Sequence, residues 1–359
     1  MTAVSIQKTE DYSEKAVYHA VCRHLEALNV TKELLPDMRV LLKPNILLAK
    51  RPADAATTHP AILRAVAVRL RELGIKQITL ADSSGGLYTE RTLRKTYEAC
   101  GFAALSDAVS LNYDTTNGKK NGFPILTPIL EADYIINCAK LKTHALMVMT
   151  AAVKNMFGSI PGLKKAECHC MQSSIEAFTK MIIKLHETVK PNLNLVDAVD
   201  CMEGNGPSGG QVRHMGYTLA SRCAYSLDEV CAELMNINPS MVRTIYWARK
   251  EKRIDPNAIE TIGDPLIIAD PPFVLPDSVL KEANLISVAG IRRVTWGISA
   301  TQPKVIQERC IGCGKCAEIC PKHIITIRNK VAEIDGKGCI SCFCCHEMCP
   351  EKAIEIIRR

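Results

Sequence analysis

Aromatic side chains make up only 5% of the 359 residues, with two tryptophans among them, so few platforms exist for stacking bases. The formal charge of +7 is modest and spread along the chain. An ordinary solvated surface accounts for it, and no nucleic-acid partner is expected. Long apolar runs are also missing. The stretch Ala145 to Val153 ends at Lys154, far short of the roughly 18 residues that cross a bilayer, so no membrane span is expected. Residues 1–25 lack the basic, apolar and small-residue order of a secretory leader, which points to a cytoplasmic protein. Low-complexity sequence is absent too.

Cysteine, by contrast, is plentiful, at 17 residues. Eight are scattered over the first 300 residues and nine crowd into the tail. There one phrase is written twice, Cys310-x2-Cys313-x2-Cys316-x3-Cys320-Pro321 and Cys339-x2-Cys342-x2-Cys345-x3-Cys349-Pro350. Three thiolates two residues apart can wrap one face of a [4Fe–4S] cube, while the cysteine before proline lies too far along to close it and crosses to the other cluster. The spacing therefore predicts two clusters, one on Cys310, Cys313, Cys316 and Cys349, the other on Cys339, Cys342, Cys345 and Cys320. Disulfides would need an oxidising compartment, and zinc usually takes separated cysteine pairs. The segment resembles a bacterial two-cluster ferredoxin over residues 303 to 359. Cys344 is a ninth thiol there and is expected to be a small buried side chain.

Around the cysteines, Ile324, Ile325 and Ile327 lead through Asn329-Lys330 to Val331 and Ile334, a hairpin pattern, and Ile354 to Ile357 forms a last strand. The expected organisation is an α/β domain over 1–302 and a small α+β ferredoxin-like module over 303–359. In the first, apolar runs predict strands at 39–42, 75–80, 108–111, 134–139 and 193–199. Helices are expected from Pro60 to Leu70, from Thr89 to Gly101, and near 147–157, 172–189 and 226–236. Ser226 to Glu229 suggests a capping box. Prolines make 264–277 irregular, with further strands expected at 285–288 and 294–298. Alternating strand and helix means a mostly parallel sheet with flanking helices.

Four polar clusters follow predicted strands: Lys43-Pro44-Asn45, Asp82-Ser83-Ser84-Gly85-Gly86, Lys140-Leu141-Lys142-Thr143-His144 and Asp197 to Gly206. In an open parallel sheet, loops beyond the carboxyl ends of strands share one rim, where ligands bind. A cationic rim suits a carboxylate or phosphate. The Asp82 loop offers backbone N–H groups for an anion but lacks both GxGxxG and GxxxxGK[ST]. Like charge from two lysines favours a neutral His144. Asp197, Asp200 and Glu203 are candidates for an additional divalent metal, and Cys168-His169-Cys170 leaves His169 a weaker site candidate.

Lys43-Pro44-Asn45, Thr58-His59-Pro60, the 140–144 run, Lys154-Asn155-Met156-Phe157-Gly158 and Met202 to Pro207 together are similar to the family called domain of unknown function 362, over about residues 38 to 265. The resemblance implies a common site of Lys43, Asn45, His59, Lys140, Lys142, His144, Lys154, Asn155 and Glu203. It implies no particular reaction. Cys223 departs from it, standing where relatives tend to be acidic.

The expectation is a redox enzyme passing single electrons between a redox protein partner and an anionic small molecule. Lys43, Lys140 and Lys142 would hold the anion, with Asn45, Asp82, Ser83, Asn155 and Glu203 around it. His144, His59 and Lys154 would do the chemistry. A non-catalytic electron-transfer or assembly subunit and a metal-cofactor maturation protein are the alternatives. Oligomeric state is not legible.

Overall fold

The computed structural model describes residues 1–172, 174–280 and 301–358. Strands β1 (Thr2–Lys8), β2 (Arg39–Lys43), β3 (Gln77–Leu80) and β4 (Ser110–Leu111) precede a small hairpin, β5 (Asn117–Lys120) and β6 (Phe123–Leu126). Then come β7 (Tyr134–His144), β8 (Val148–Thr150), β9 (Leu193–Glu203), β10 (Gln211–Ser221) and β11 (Ile259–Gly263). Apart from the hairpin they form one sheet in the order β11-β1-β10-β9-β7-β2-β3-β4, with β8 added against the end of β7. From β9 to β4 every neighbouring pair along the path is parallel, while β10 runs antiparallel to both β9 and β1.

Burial on both faces is legible residue by residue. Successive strand side chains point to opposite faces, and Val40, Leu42, Ile136 and Cys138 enter one core while Leu41, Ile135, Ala139 and Leu141 enter the other. The first core is closed by helices Glu14–Ala27, Pro60–Glu72 and Glu90–Ala99, the second by Ile175–Val189, Ala224–Leu234 and Arg243–Lys250. All eleven residues of β7 are buried, as a central parallel strand requires.

Two expectations need correction, and two strands were not expected. Residues 147–157 form no single helix: β8 pairs back on β7, and only Ala152–Asn155 is α-helical before a 3-10 turn. The capping box at Ser226 does not form, because the helix begins at Ala224 after Cys223; Ser226 is buried, and Glu229 pairs instead with Arg249. β1 and β10 carry too many polar residues to be noticed as central strands. Ser5, Gln7 and Thr218 are nevertheless buried, and His24 bridges Ser5 and Thr218 at 2.8 and 3.0 Å. The strands expected at 285–288 and 294–298 lie outside the described residues.

In the tail, β12 (Thr301–Val305) pairs with β15 (Ile354–Arg358), and β13 (Ile325–Arg328) forms the expected hairpin with β14 (Val331–Ile334). Short helices Lys315–Ile319 and Cys344–Glu347 complete the module. It docks on the carboxyl-end rim of the large sheet. Leu87 N–H donates to Glu318 Oε1 at 2.9 Å, Ser208 Oγ to the Glu347 carbonyl at 2.6 Å, and Lys352 Nζ to the Gly210 carbonyl at 3.3 Å.

Candidate functional site: a cleft between sheet rim and cysteine module

Below the rim, lysines at strand ends are buried and paired. Lys43, at the end of β2, reaches Asp82 after β3 at 2.7 Å and also donates to the Asn155 carbonyl at 2.7 Å. The other Asp82 oxygen accepts from Ile46 N–H at 2.9 Å. Gly158 is a glycine because a Cβ there would stand 2.0 Å from Asp82 Oδ1 and 2.7 Å from Lys43 Nζ. Lys140 pairs with Asp197 across β7 and β9 at 2.9 Å, and Tyr12 hydroxyl donates to the other Asp197 oxygen at 2.9 Å. His59 belongs to this second group. Its backbone N–H donates to Asp197, its ring stacks on Tyr12 at 3.6 Å, and its Nδ1 caps the helix that Pro60 opens.

Asparagines form the next layer. Lys142 Nζ donates to Asn45 Oδ1 at 2.8 Å and to the Ala56 carbonyl. Asn45 donates to Asn155 Oδ1 at 2.8 Å, and Asn155 donates in turn to Asn137 Oδ1 at 2.7 Å. The β7–β9 register shifts between Lys140, opposite Asp197, and Lys142, opposite Met202. That bulge directs two lysines of equal strand parity to different partners.

Above this layer lies a cleft of about 660 Å3, counted to its open mouth, with walls from both modules. Asn45, Asp82, Ser83, Lys142, His144, Lys154, Asn155, Lys165 and His169 come from the sheet side, and Ile319, Cys344, Glu347 and Met348 from the tail. Lys165 donates to Ser83 Oγ, the Ser83 carbonyl and the Ser84 carbonyl at 2.9, 2.5 and 2.9 Å. His144 Nδ1 accepts from Leu146 N–H at 3.1 Å, which leaves the proton of the neutral ring on Nε2. Nε2 lies 3.4 Å from Glu347 Oε1, an oxygen that has no hydrogen-bond partner among the described residues. Lys154 has neither a hydrogen bond nor an ion pair among the described residues; its ammonium sits 4.6 Å above the Phe157 ring.

Burial governs the charges. It pulls Lys142 and Lys165 down to about 7, and Glu347 acts weakly in the opposite sense on Lys142. Lys154 is likewise lowered, by burial first, with Glu347 opposing. His144 is held well below its ordinary value by burial and then by Lys154 and Lys142. His169 falls to about 3 and Glu347 rises to about 7, both mainly through desolvation.

Of the residues expected at the site, Asn45, Asp82, Ser83, Lys142, His144, Lys154 and Asn155 therefore line the cleft, and Lys43 and Lys140 lie beneath it. Glu203 faces elsewhere, bound to Arg213 at 3.0 Å and accepting from Val274 N–H. Asp200 holds His214 at 2.8 Å. Among the described residues no three His, Cys, Asp or Glu side chains converge on a single ion, so the additional divalent metal has no ligand set there. Gly204 to Gly209 spells GxGxxG, yet it joins antiparallel β9 and β10 and opens no helix, so the phosphate-cradling geometry is missing. Lys165 and Glu347 were not singled out in the sequence; a lysine on a polar helix and a glutamate among cysteines carry no signal.

The cysteines meet in two further cavities. One is lined by Cys310, Cys313, Cys316 and Cys349, the other by Cys320, Cys339, Cys342 and Cys345. None of the 17 cysteines is in a disulfide. Backbone N–H groups of Ala332, Ser341 and Ala353 donate to Cys310, Cys339 and Cys349 sulfurs at 3.2–3.4 Å, as suits thiolates carrying negative charge. Four sulfurs around an apolar hole, with Ile325, Ala332 and Ile354 packed nearby, fit an iron–sulfur cube.

A chain of this build is an α/β protein with an iron–sulfur module. The model of a 4Fe-4S binding domain matches residues 303–326, and that of domain of unknown function DUF362 matches 40–233, more than half of the chain. The protein is thus an iron–sulfur protein and belongs to the DUF362 family. It is 30% identical over 269 residues to a thylakoid-associated protein of Synechocystis sp., covering 72% of this chain and 82% of that one. Among solved structures, the lactate racemase apoprotein from Thermoanaerobacterium thermosaccharolyticum aligns at 14% identity with a TM-score of 0.37. The alignment covers 62% of this chain and about half, 54%, of the racemase, a likeness too slight to bear on function. Among the described residues no helix is long and apolar enough to cross a membrane.

Proposed function

We propose that the protein is a cytoplasmic redox enzyme in which two [4Fe–4S] clusters pass single electrons between a redox protein partner and a small anion bound in the cleft. The observation that carries this reading is that Cys344 lines both the cleft and the cavity of Cys320, Cys339, Cys342 and Cys345. Anion site and inner cysteine quartet share a wall. Cys313 of the outer quartet is exposed, as a partner-facing end requires. When bound, the clusters supply one-electron steps at a potential tuned by their surroundings.

The chain's own groups do the rest. Lys142 uses two of its three N–H donors on Asn45 and Ala56, leaving one for the anion. Lys154 adds an unshared positive charge, and His144 presents Nε2–H as a donor. Cys344 fills the thin wall as a small apolar side chain.

The test is iron and sulfide analysis of anaerobically purified protein, followed by electron paramagnetic resonance of the reduced form while anions are titrated. About eight irons per chain are expected, with one of two signals responding to the anion. About four irons, or two signals indifferent to every anion, would end the reading. Stripping iron is expected to melt the tail separately while the α/β domain keeps its transition.

A further inference from the structure

The cleft holds one amine in an unusual state. A lysine ammonium ordinarily finds acceptors for its three donors when it leaves water. Lys43 and Lys165 each find three acceptors here, and Lys140 and Lys142 two. Half-buried Lys154 makes no hydrogen bond among the described residues: it lines the cleft with its ammonium over the face of Phe157 and the Glu347 carboxylate as an attracting charge. Its backbone is held firmly, since Asp228 accepts from the N–H groups of Ala152 and Val153 at 2.7 and 3.2 Å, at the start of the short helix that carries it. The fold thus fixes the backbone, and the side chain makes no hydrogen bond or ion pair among the described residues.

Resting on the reading of the cleft as an anion site, we propose that Lys154 is a nucleophile that forms an imine with an anionic carbonyl compound of the 2-oxo acid class. Its nitrogen forms a C=N bond with the carbonyl carbon, and the carbonyl oxygen departs as water with both amine hydrogens, so no oxidant or reductant is consumed. The carboxylate of the substrate is met by the remaining donor of Lys142. His144 Nε2–H donates to the carbonyl oxygen as charge develops there. Burial, which also lowers the charge preference of Lys154, is how proteins make a lysine nucleophilic near neutral pH.

Glyoxylate is the probe, with glycolate as its counterpart lacking the carbonyl. The iron-loaded full-length protein is treated with glyoxylate and sodium cyanoborohydride, and the adduct is located by peptide mass mapping. Labelling of Lys154 at least about tenfold above any other lysine is expected, suppressed by excess glycolate and lost in Lys154→Arg. Because the map is made on the unaltered protein, the result does not depend on the variant folding. Adduct spread evenly over surface lysines would overturn the assignment. Titration calorimetry separates the two levels of failure: glycolate and glyoxylate binding alike without adduct overturns the imine alone, whereas neither binding overturns the anion site as well.

Discussion

The floor of the cleft and its walls use the same residue types in opposite states. In the floor, Lys43 with Asp82 and Lys140 with Asp197 are fully buried ion pairs, each reinforced by further hydrogen bonds. On the walls, among the described residues, Lys154 has no ion pair and Glu347 Oε1 has no hydrogen bond. A buried charge that is paired and hydrogen-bonded holds structure together, whereas one left open is available to a ligand. Residue identity and proximity to a strand end do not distinguish the two; partners do.

Disrupting the floor should have the largest effect. Asp197→Ala leaves Lys140 buried without its carboxylate and removes the acceptors of Tyr12 and His59, so a loss of about 3–5 kcal/mol is expected in urea unfolding. A loss below about 1 kcal/mol would mean that the pair is no better placed than the wall charges. Gly158→Ala acts on the same layer sterically. Its Cβ would fall within bonding range of Asp82 Oδ1, and about 1–3 kcal/mol of destabilisation is expected, visible as a lower melting temperature.

Removing a wall charge should do far less. Lys154→Met keeps most of the stem over Phe157 and deletes a cation that makes no ion pair among the described residues, so stability should change by less than about 1 kcal/mol, or rise, while anion affinity falls about tenfold. Loss of stability equal to that of Asp197→Ala would erase the contrast between floor and wall. The last effect is a slope. Burial lowers Lys165 to about 7 in the folded chain against an ordinary 10.5, so between those values the unfolded chain binds more protons and stability rises with pH. Lys165→Met should flatten that rise; an unchanged slope would show that Lys165 is not the group responsible.

Much of this was legible in the sequence, for physical reasons that differ by region. β2, β3, β7 and β9 are short apolar runs whose burial needs only local composition, and their polar sequels mark the rim. β1 and β10 escaped because two of their inward polar residues, Ser5 and Thr218, are satisfied by a partner, His24, that no local pattern reveals. The segment 147–157 looks helical by periodicity, yet β8 gains more by pairing with β7. Of the site, the lysine and asparagine motifs were visible, while Lys165, Glu347 and the second wall were not, because they come from segments with another apparent purpose.

The spacing of the tail cysteines by itself led to the expectation of two quartets, since the geometry of a cube limits how far consecutive thiolates can reach, and the two cavities group the same cysteines. Local apolar runs likewise determined the parallel strands and the rim at their ends. Only the tertiary structure decided that the tail closes over that rim, and that Lys43 and Lys140 are paired below it while Lys154 has no ion pair among the described residues. Pairing depends on which carboxylates, 39 and 57 residues away along the chain, arrive within hydrogen-bonding distance, and the packing of the whole sheet sets that separation.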